Sequence, residues 1–379
     1  MKEMAPLRAY QNMAILKKNV PMHMRTLYHL PMMSFDYSCS QPHFRSYLRF
    51  AITKDPGVLY AMLAVSGKHL EATKSKICKS DEYERKSLGI LIPMLSENDA
   101  TQSQGDAVLI SALLLRLLDE MTAPLFLRIR QHDPKPSELS NAAMTIVLRQ
   151  EIQVANMIKR PVEVMGIECG IDDSLGPASD VMWTCRMMSH AARVTNYAYG
   201  DNPRTETLWN QLWSYLDQWS LEKPSSLNPL NRCEGGTWLE NPRSQDRIFP
   251  EIYYVHDCSI AGQQYLELCK IILLAHDPQI PALGLGRTNY MKAQEEKIRE
   301  TVRNLCGIWL SNPEYVPAKI LASLGIAMTG ELFTDPTETR QLFNIISEAE
   351  MHVGWPCLKV SPQLKEFWSL NNTSASSEN

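Results

Sequence analysis

The segment LWNQLWSYLDQW, residues 208–219, has the clearest helical periodicity in the chain and therefore constrains the fold most. At 100° per residue, its large apolar side chains fall within about 160° of arc, and polar side chains fill the remainder. The apolar set is Leu208, Trp209, Leu212, Trp213, Tyr215, Leu216 and Trp219. This pattern predicts an amphipathic α-helix that packs one face against other helices.

Helical signals extend over most of the chain. Asp55-Pro56, Ser80 and Ser179 each stand where a helix can start, because Asp and Ser cap free amide groups and Pro is tolerated at the first helical position. The segment Asp106 to Met121 is apolar almost all round, which is typical of a helix in the middle of a bundle. Since no alternating strand pattern and no fixed-period repeat is present, we predict an all-α fold, a large multi-helix array or bundle.

The organisation predicted from composition has three parts. Residues 1–50 are rich in Met and Pro and weakly periodic, so we expect a partly ordered lead-in. Residues 51–370 form one compact helical domain, and residues 371–379, NNTSASSEN, form a disordered tail. The polar stretch from Pro224 to Pro250 is expected to be a long loop, either a lid or a boundary between subdomains.

Charge and cysteine content exclude several classes of function. The formal net charge of the 379 residues is −4, so no overall positive field favours nucleic acid, and we expect no direct contact with it. The longest apolar run, Ala107 to Leu115, is far shorter than the ~20 residues of a membrane helix, so no membrane partner is expected. The nine cysteines contain no C-x-x-C pair, which argues against the common zinc sites. The sequence predicts no metal and no cofactor.

Candidate ligand-binding residues are few. Arg149 and Gln150 interrupt an apolar helical pattern and could anchor an acidic or carbonyl-bearing ligand; the alternative is an internal salt bridge or a bond to a loop carbonyl. His256 and Cys258 lie in the cluster YYVHDC, where a nucleophilic pair is conceivable, but residues two apart on a helix point in different directions. No catalytic motif is recognisable, so no catalytic residue is assigned.

Taken in order, several segments resemble the fungal-specific transcription factor domain, the regulatory half of fungal zinc binuclear cluster activators. The resemblance spans roughly residues 45–360. The segments are GVLYAMLAVSGKHL, EYERKSLGILIPMLSE, DAVLISALLLRLLDEM, AAMTIVLRQEIQVANMIKRP, the tryptophan-rich helix with the following KPSSLNP, FPEIYYVHDCSIAGQQYLEL, NLCGIWLSN and Gly354-Trp355-Pro356.

The resemblance implies a nuclear, helical regulatory domain that controls transcription of a fungal pathway or a secondary-metabolite gene cluster. The sequence departs from the family in lacking the six-cysteine zinc module, and between Met121 and Ser140 it is shorter than the family pattern. The implied partners are other transcriptional proteins or a DNA-binding partner, together with a small-molecule effector.

Two other functions remain open from the sequence. The chain could be an enzyme or auxiliary protein of a biosynthetic pathway that reuses the same scaffold to shape a pocket, with Arg149, Gln150, His256 and Cys258 as pocket groups. It could also be a homodimerising module, because the tryptophan-rich face of residues 208–219 could serve as an interface.

Overall fold

The computed structural model describes residues 48, 51–74, 79–96, 102–116, 138–234, 248–281, 283–353 and 362–368. It is 76% helical with one two-stranded sheet in that part of the chain, so the all-α prediction is confirmed. The α-helices are α1 (Pro56–Lys74), α2 (Ser80–Ser96), α3 (Gln102–Leu115), α4 (Glu138–Ile158), α5 (Asp180–Tyr199), α6 (Glu206–Glu222), α7 (Asp257–Ala275), α8 (Leu285–Ser311), α9 (Pro317–Thr329) and α10 (Pro336–Val353). Short 3-10 turns lie at Gly166–Cys169, Ser225–Leu227 and Gly330–Leu332, and the strands are β1 (Asn231–Cys233) and β2 (Glu251–Tyr253).

The helices of the predicted 51–370 domain divide between two compact units, Met1–Val147 and Leu148–Asn379. The boundary falls within α4. The predicted lead-in (apart from Leu48), the tail at 371–379 and most of the short Met121–Ser140 segment lie outside the described residues.

The first unit is built on contacts among α1, α2 and α3. The predicted start of α1 is confirmed, because the Asp55 carboxylate accepts a hydrogen bond from the Val58 amide at 3.0 Å. Apolar residues such as Leu59 and Met62 on α1 are fully buried. The helix predicted over Asp106 to Met121 begins four residues earlier, at Gln102, and extends to Leu115; residues 117–121 of the predicted span lie outside the described residues. Its described side chains are almost all buried, as expected for a central helix.

The second unit is organised around α7, which contacts α5, α6, α8 and α9. Most residues of α7 are buried because the helix is apolar nearly all round, as a helix at the centre of a bundle must be. α5 begins at the predicted cap, where the Ser179 hydroxyl accepts a hydrogen bond from the Met182 amide at 3.3 Å. α6 is amphipathic as predicted: Leu212, Leu216 and Trp219 are buried, and its polar side chains face solvent.

The two-stranded sheet was not predicted, since the sequence analysis found no strand pattern. β1 lies within the expected Pro224–Pro250 loop and pairs antiparallel with β2, with Arg232 opposite Ile252. The end of α8 covers the other edge of β2. Asn312 accepts a hydrogen bond from the Tyr254 amide (3.1 Å) and donates one to the Ile252 carbonyl (2.8 Å). Three-residue strands are too short to show an alternating pattern, so the sequence carries no signal for them.

α8 approaches the start of β2 very closely at Gly307. A Cβ atom on this residue would overlap the backbone carbonyl oxygen of Pro250 and lie 2.9 Å from the Pro250 Cγ. A glycine is therefore needed here for packing rather than for an unusual backbone angle, and the contact fixes the sheet against α8.

Candidate functional site

The described part of α4 in the second unit carries an unusual row of buried polar side chains. Arg149, Gln150, Glu151, Gln153 and Asn156 are each at most 4% exposed. Buried polar groups are normally hydrogen-bonded, so each needs a partner or a reason for lacking one.

Two members of the row are explained by internal bonds. The Glu151 carboxylate pairs with the Arg160 guanidinium at 2.5 Å. The Asn156 side-chain amide donates to the Thr195 hydroxyl on α5 at 2.9 Å and to the Ile152 carbonyl at 2.8 Å. These contacts join α4 to the following turn and to α5, so Glu151 and Asn156 have structural roles.

Arg149 lies against the aromatic ring of Tyr265 on α7. The centre of its guanidinium is 5.9 Å from the ring centroid, within the range of a cation–π contact, and both side chains are fully buried. Burial raises the pKa of Tyr265, and the positive charge of Arg149 opposes this shift, so the phenol stays protonated.

Gln150 and Gln153 are the unexplained members. They are 4% and 1% exposed, and neither amide oxygen nor amide nitrogen has a hydrogen-bond partner among the residues that the structure describes. Leaving a buried polar group without a partner costs about 1–3 kcal/mol. An arrangement with four such atoms on one helix therefore favours a bound molecule, either water or a ligand, that satisfies them.

Helical geometry brings these groups together. Residues four apart on a helix share a face with Cβ atoms about 5–6 Å apart, so Gln153 lies beside Arg149, and Gln150 is adjacent around the helix. We name Arg149, Gln150, Gln153 and Tyr265 the α4 polar cluster. It offers a guanidinium, two amide groups and a phenol, which together can bind a carbonyl or carboxylate group.

The structure places the three predicted site residues in two environments. Arg149 and Gln150 lie together in the core, as adjacent members of the cluster. His256 is exposed at the start of α7, where its carbonyl accepts hydrogen bonds from the amides of Ser259 (3.0 Å) and Ile260 (3.3 Å). It precedes Tyr265 by nine residues, or about 13 Å along the helix. His256 is therefore not brought to the α4 polar cluster.

Cys258, the second residue of the possible nucleophilic pair with His256, is buried. Burial is the main cause that raises the pKa of its thiol, which disfavours the reactive thiolate. The neighbouring backbone has a packing role, because the Cys258 carbonyl accepts a hydrogen bond from the Thr184 hydroxyl on α5 at 2.7 Å.

Two members of the cluster were missed by the sequence analysis. Gln153 could have been found, because it lies four residues after Arg149 in an otherwise apolar helix. Tyr265 had no such signal, since a tyrosine within an apolar helix is ordinary core composition.

Within the same described residues, no group of three or more His, Cys, Asp or Glu side chains is arranged to hold a metal ion. No described helix is long and apolar enough to cross a membrane. No family model, no curated protein and no solved structure matches the chain.

Replacing Gln153 with methionine, which has a similar shape and no amide, should raise the free energy of unfolding by about 1–3 kcal/mol. The reason is that both amide atoms of Gln153 are buried without partners in the described part of the chain. The measurement is urea unfolding of the full chain, followed by far-UV circular dichroism.

The matched control is Gln294→Met. The Gln294 amide donates to the buried Asp277 carboxylate at 2.6 Å, so the same substitution there removes a bond to a charged group and should lower stability. If Gln153→Met destabilised the protein as Gln294→Met does, the Gln153 amide would be paired in the free protein, either by another residue or by a bound water.

Proposed function

We propose that this chain is a regulator of transcription whose helical body responds to a small-molecule effector, with DNA contact made by a partner protein. The observation that carries the proposal is the α4 polar cluster, in which two amides without partners among the described residues lie beside a buried guanidinium in the core of the second unit. The resemblance of residues 45–360, in order, to fungal regulatory domains supports control of transcription as the activity. The regulated genes would belong to a fungal pathway or secondary-metabolite cluster, and the place of action would be the nucleus.

The assignment of DNA contact to a partner has a simple basis. The 379 residues contain no C-x-x-C pair for a zinc binuclear cluster and carry a formal net charge of −4. Sequence-independent affinity for DNA comes mainly from lysine and arginine contacts to phosphates. A chain with a negative net charge does not favour such contacts.

The effector would act through the helices that the cluster joins. Arg149, Gln150 and Gln153 lie on α4 and Tyr265 lies on α7, the helix around which the second unit is packed. A ligand that bonds to both helices favours the arrangement in which they are correctly spaced. Such a ligand shifts the equilibrium between conformations towards the one that it binds more tightly, by an amount set by the difference between its two affinities.

The test is a reporter assay with the full chain fused to a heterologous DNA-binding domain. Reporter expression should differ from that of the DNA-binding domain alone, and it should change when a small-molecule extract of a culture of the source organism is added. The Gln153→Met fusion should retain the basal effect and lose the response to the extract, whereas Gln294→Met should keep the response at a temperature where it is folded.

Each result has a distinct meaning. A fusion with no effect on expression, with or without extract, would refute the regulatory role. Reporter expression that differs from the control but does not change with the extract would contradict the effector site and not the regulatory role. A Gln153→Met fusion that still responds to the extract would have the same meaning. Unchanged transcripts in a deletion strain that accumulates a pathway intermediate would instead favour the biosynthetic alternative.

A further inference from the structure

Lys223 directly follows α6 and belongs to a cluster of polar side chains, and we propose that its amine captures a small aldehyde as a Schiff base. The other members of the cluster are Gln263, Glu267 and Lys270, all on α7. We name these four residues the Lys223 cluster. The inference does not depend on the proposed regulatory function or on the α4 polar cluster.

A chain of hydrogen bonds fixes the position of the amine. Lys223 Nζ donates to Gln263 Oε1 at 3.2 Å. The Gln263 amide donates to Glu267 Oε1 at 2.7 Å, and Lys270 Nζ donates to the same oxygen at 3.2 Å. Because Glu267 is only 2% exposed, this chain of bonds is anchored in the core. The amine is therefore held in one place, whereas the end of a surface lysine moves freely.

The ring of Trp219 covers one side of the amine. Trp219 lies four residues before Lys223, one turn back on the same face of α6, and Lys223 Nζ is 5.1 Å from the ring centroid. Lys223 is half-buried, so part of its side chain remains in contact with solvent. The amine thus lies against an apolar surface at the edge of the core.

These surroundings disfavour the charged form of the amine. Burial lowers the pKa of Lys223 from 10.5 to about 8; the positive charge of Lys270 acts in the same direction, and the negative charge of Glu267 opposes it. An amine with this pKa is about one-tenth neutral at pH 7, compared with about 0.03% for an ordinary lysine. The neutral form is the nucleophile, and a lysine placed in apolar surroundings beside a second cation is activated in this way.

The reaction balances without an oxidant or a reductant. The neutral amine attacks the carbonyl carbon, a C–N bond forms, and a proton passes through solvent from nitrogen to oxygen, which gives a carbinolamine. The hydroxyl group then takes a proton from solvent and leaves as water, while nitrogen forms the C=N bond of a protonated imine. The neutral amine has two N–H groups and the protonated imine has one, so the bond to Gln263 can persist throughout.

The cluster favours an aldehyde over other electrophiles. A protonated imine keeps one positive charge and one N–H, so it retains the contact with Trp219 and the attraction to Glu267. Acylation by a thioester would remove the charge. Reaction with CO2 would give a carbamate, whose negative charge would be repelled by the buried Glu267 carboxylate.

The test is labelling of the full chain with propanal and sodium cyanoborohydride, which reduces the imine to a stable secondary amine. Peptide mass spectrometry would compare Lys223 with the exposed Lys159 and Lys292 in the same sample. At pH 7, Lys223 should be labelled at least about tenfold faster, because its excess of neutral amine outweighs the weaker nucleophilicity of a less basic amine. Omitting cyanoborohydride should leave no label after denaturation, since the imine is reversible.

The pH dependence provides an internal check. Between pH 7 and pH 9 the neutral fraction of an amine with a pKa of about 8 rises about tenfold, whereas that of an ordinary lysine rises about 100-fold. The ratio of Lys223 labelling to reference labelling should therefore fall by about tenfold over this interval. Because both sites are measured in one sample, the pH dependence of the reagents cancels.

The variant Lys270→Gln should lower the labelling of Lys223 at pH 7 by about threefold or more, because loss of the neighbouring positive charge raises the pKa of Lys223. At pH 10, where the amine is largely neutral in both proteins, labelling should equal that of the parent chain. The matched control is Lys270→Arg, which keeps the charge and should behave as the parent at both pH values.

Three results would overturn the proposal. These are labelling of Lys223 no faster than that of the reference lysines at pH 7, a labelling ratio that does not change between pH 7 and pH 9, and a Lys270→Gln variant that is labelled equally poorly at pH 7 and pH 10. Selective acetylation of Lys223 by S-acetyl-N-acetylcysteamine, without selective trapping of the imine, would contradict the assignment of an aldehyde.

Discussion

Replacing Trp219 with alanine should lower the free energy of unfolding by about 3–5 kcal/mol, the usual cost of removing a large aromatic side chain from a packed core. Trp219 is 1% exposed and is the largest fully buried side chain in the described residues. Its indole N–H donates to the Trp183 carbonyl at 3.0 Å, and its ring is tilted against the Trp183 ring with centroids 6.4 Å apart. The substitution therefore creates a cavity between α5 and α6 and removes a buried hydrogen bond.

Packing around Trp219 leaves little room for that cavity to collapse. On α7, a Cβ atom added to Gly262 would already lie 3.4 Å from the Trp219 ring and 3.1 Å from the Thr184 hydroxyl. α5, α6 and α7 thus meet at one side chain. Because Gly262 brings the α7 backbone close to the indole, part of the space left by loss of the indole is lined by backbone, which rearranges less readily than a side chain does.

The measurement is urea unfolding followed by far-UV circular dichroism, since eight tryptophans complicate fluorescence. The control is Trp213→Ala on the same helix. Trp213 is half-buried and stacks on Trp209 at 5.1 Å, so its loss should cost less than half as much. Equal effects of the two substitutions would show that Trp219 does not hold the three helices together.

Acidification should destabilise the second unit through His190. The pKa of this buried imidazole is lowered to about 3 from an ordinary value of 6.5, mainly because burial disfavours the charged form. Between these two values the unfolded chain binds a proton that the folded chain does not. The stability contributed by neutral His190 is therefore fully present above pH 6.5 and is lost as the pH falls towards 3, at about 1.4 kcal/mol per pH unit.

Other groups titrate in the same acidic range and must be separated from His190. Hydrogen bonds from Ser174 and Arg186 lower the pKa of Asp172, and bonds from Arg299 and Arg303 lower that of Glu296, so both carboxylates also lose stability in acid. The groups next to His190 itself are Arg193 on α5 and Tyr215 on α6. Burial raises the pKa of Tyr215 to about 12, far above this acidic range.

The variant His190→Gln isolates the contribution of the imidazole. Its Nε2 can donate to the Leu212 carbonyl as the imidazole does, but it does not titrate. The free energy of unfolding of this variant should change between pH 6 and pH 4 by about 2–3 kcal/mol less than that of the parent chain. Parallel pH profiles would mean that His190 is solvated or protonated in the folded state.

Local signals in the sequence were sufficient for the starts of α1, α2 and α5, whereas α3 begins four residues before the predicted Asp106. Asp55 and Ser179 cap the predicted helices because a side-chain oxygen there can reach only nearby amides, and the burial of Leu212, Leu216 and Trp219 follows from their position on one face of α6. The β1–β2 pair was not predictable, because the paired residues are 18 to 22 positions apart and each strand has three residues.

The candidate site was predicted in part. Polar residues in an apolar helical pattern identified Arg149 and Gln150, since periodicity shows which way a side chain points from its own helix. Periodicity does not show which neighbouring helix lies opposite, so Tyr265 on α7 was not identified. His256 was a candidate because Asp257 and Cys258 follow it in the sequence. It lies at the N-terminal end of α7, where it is exposed.

The way α8 ends against β2 affects how this protein can associate. An exposed strand edge is a template on which another chain can add a strand and begin to aggregate. Ser311 accepts a hydrogen bond from the Ile252 amide at 2.9 Å, and Asn312 bonds to Ile252 and Tyr254, so the donors and acceptors on that side are already occupied. Intermolecular strand addition is thereby blocked at the outer side of β2, and two consecutive side chains at a helix end accomplish this without a third strand.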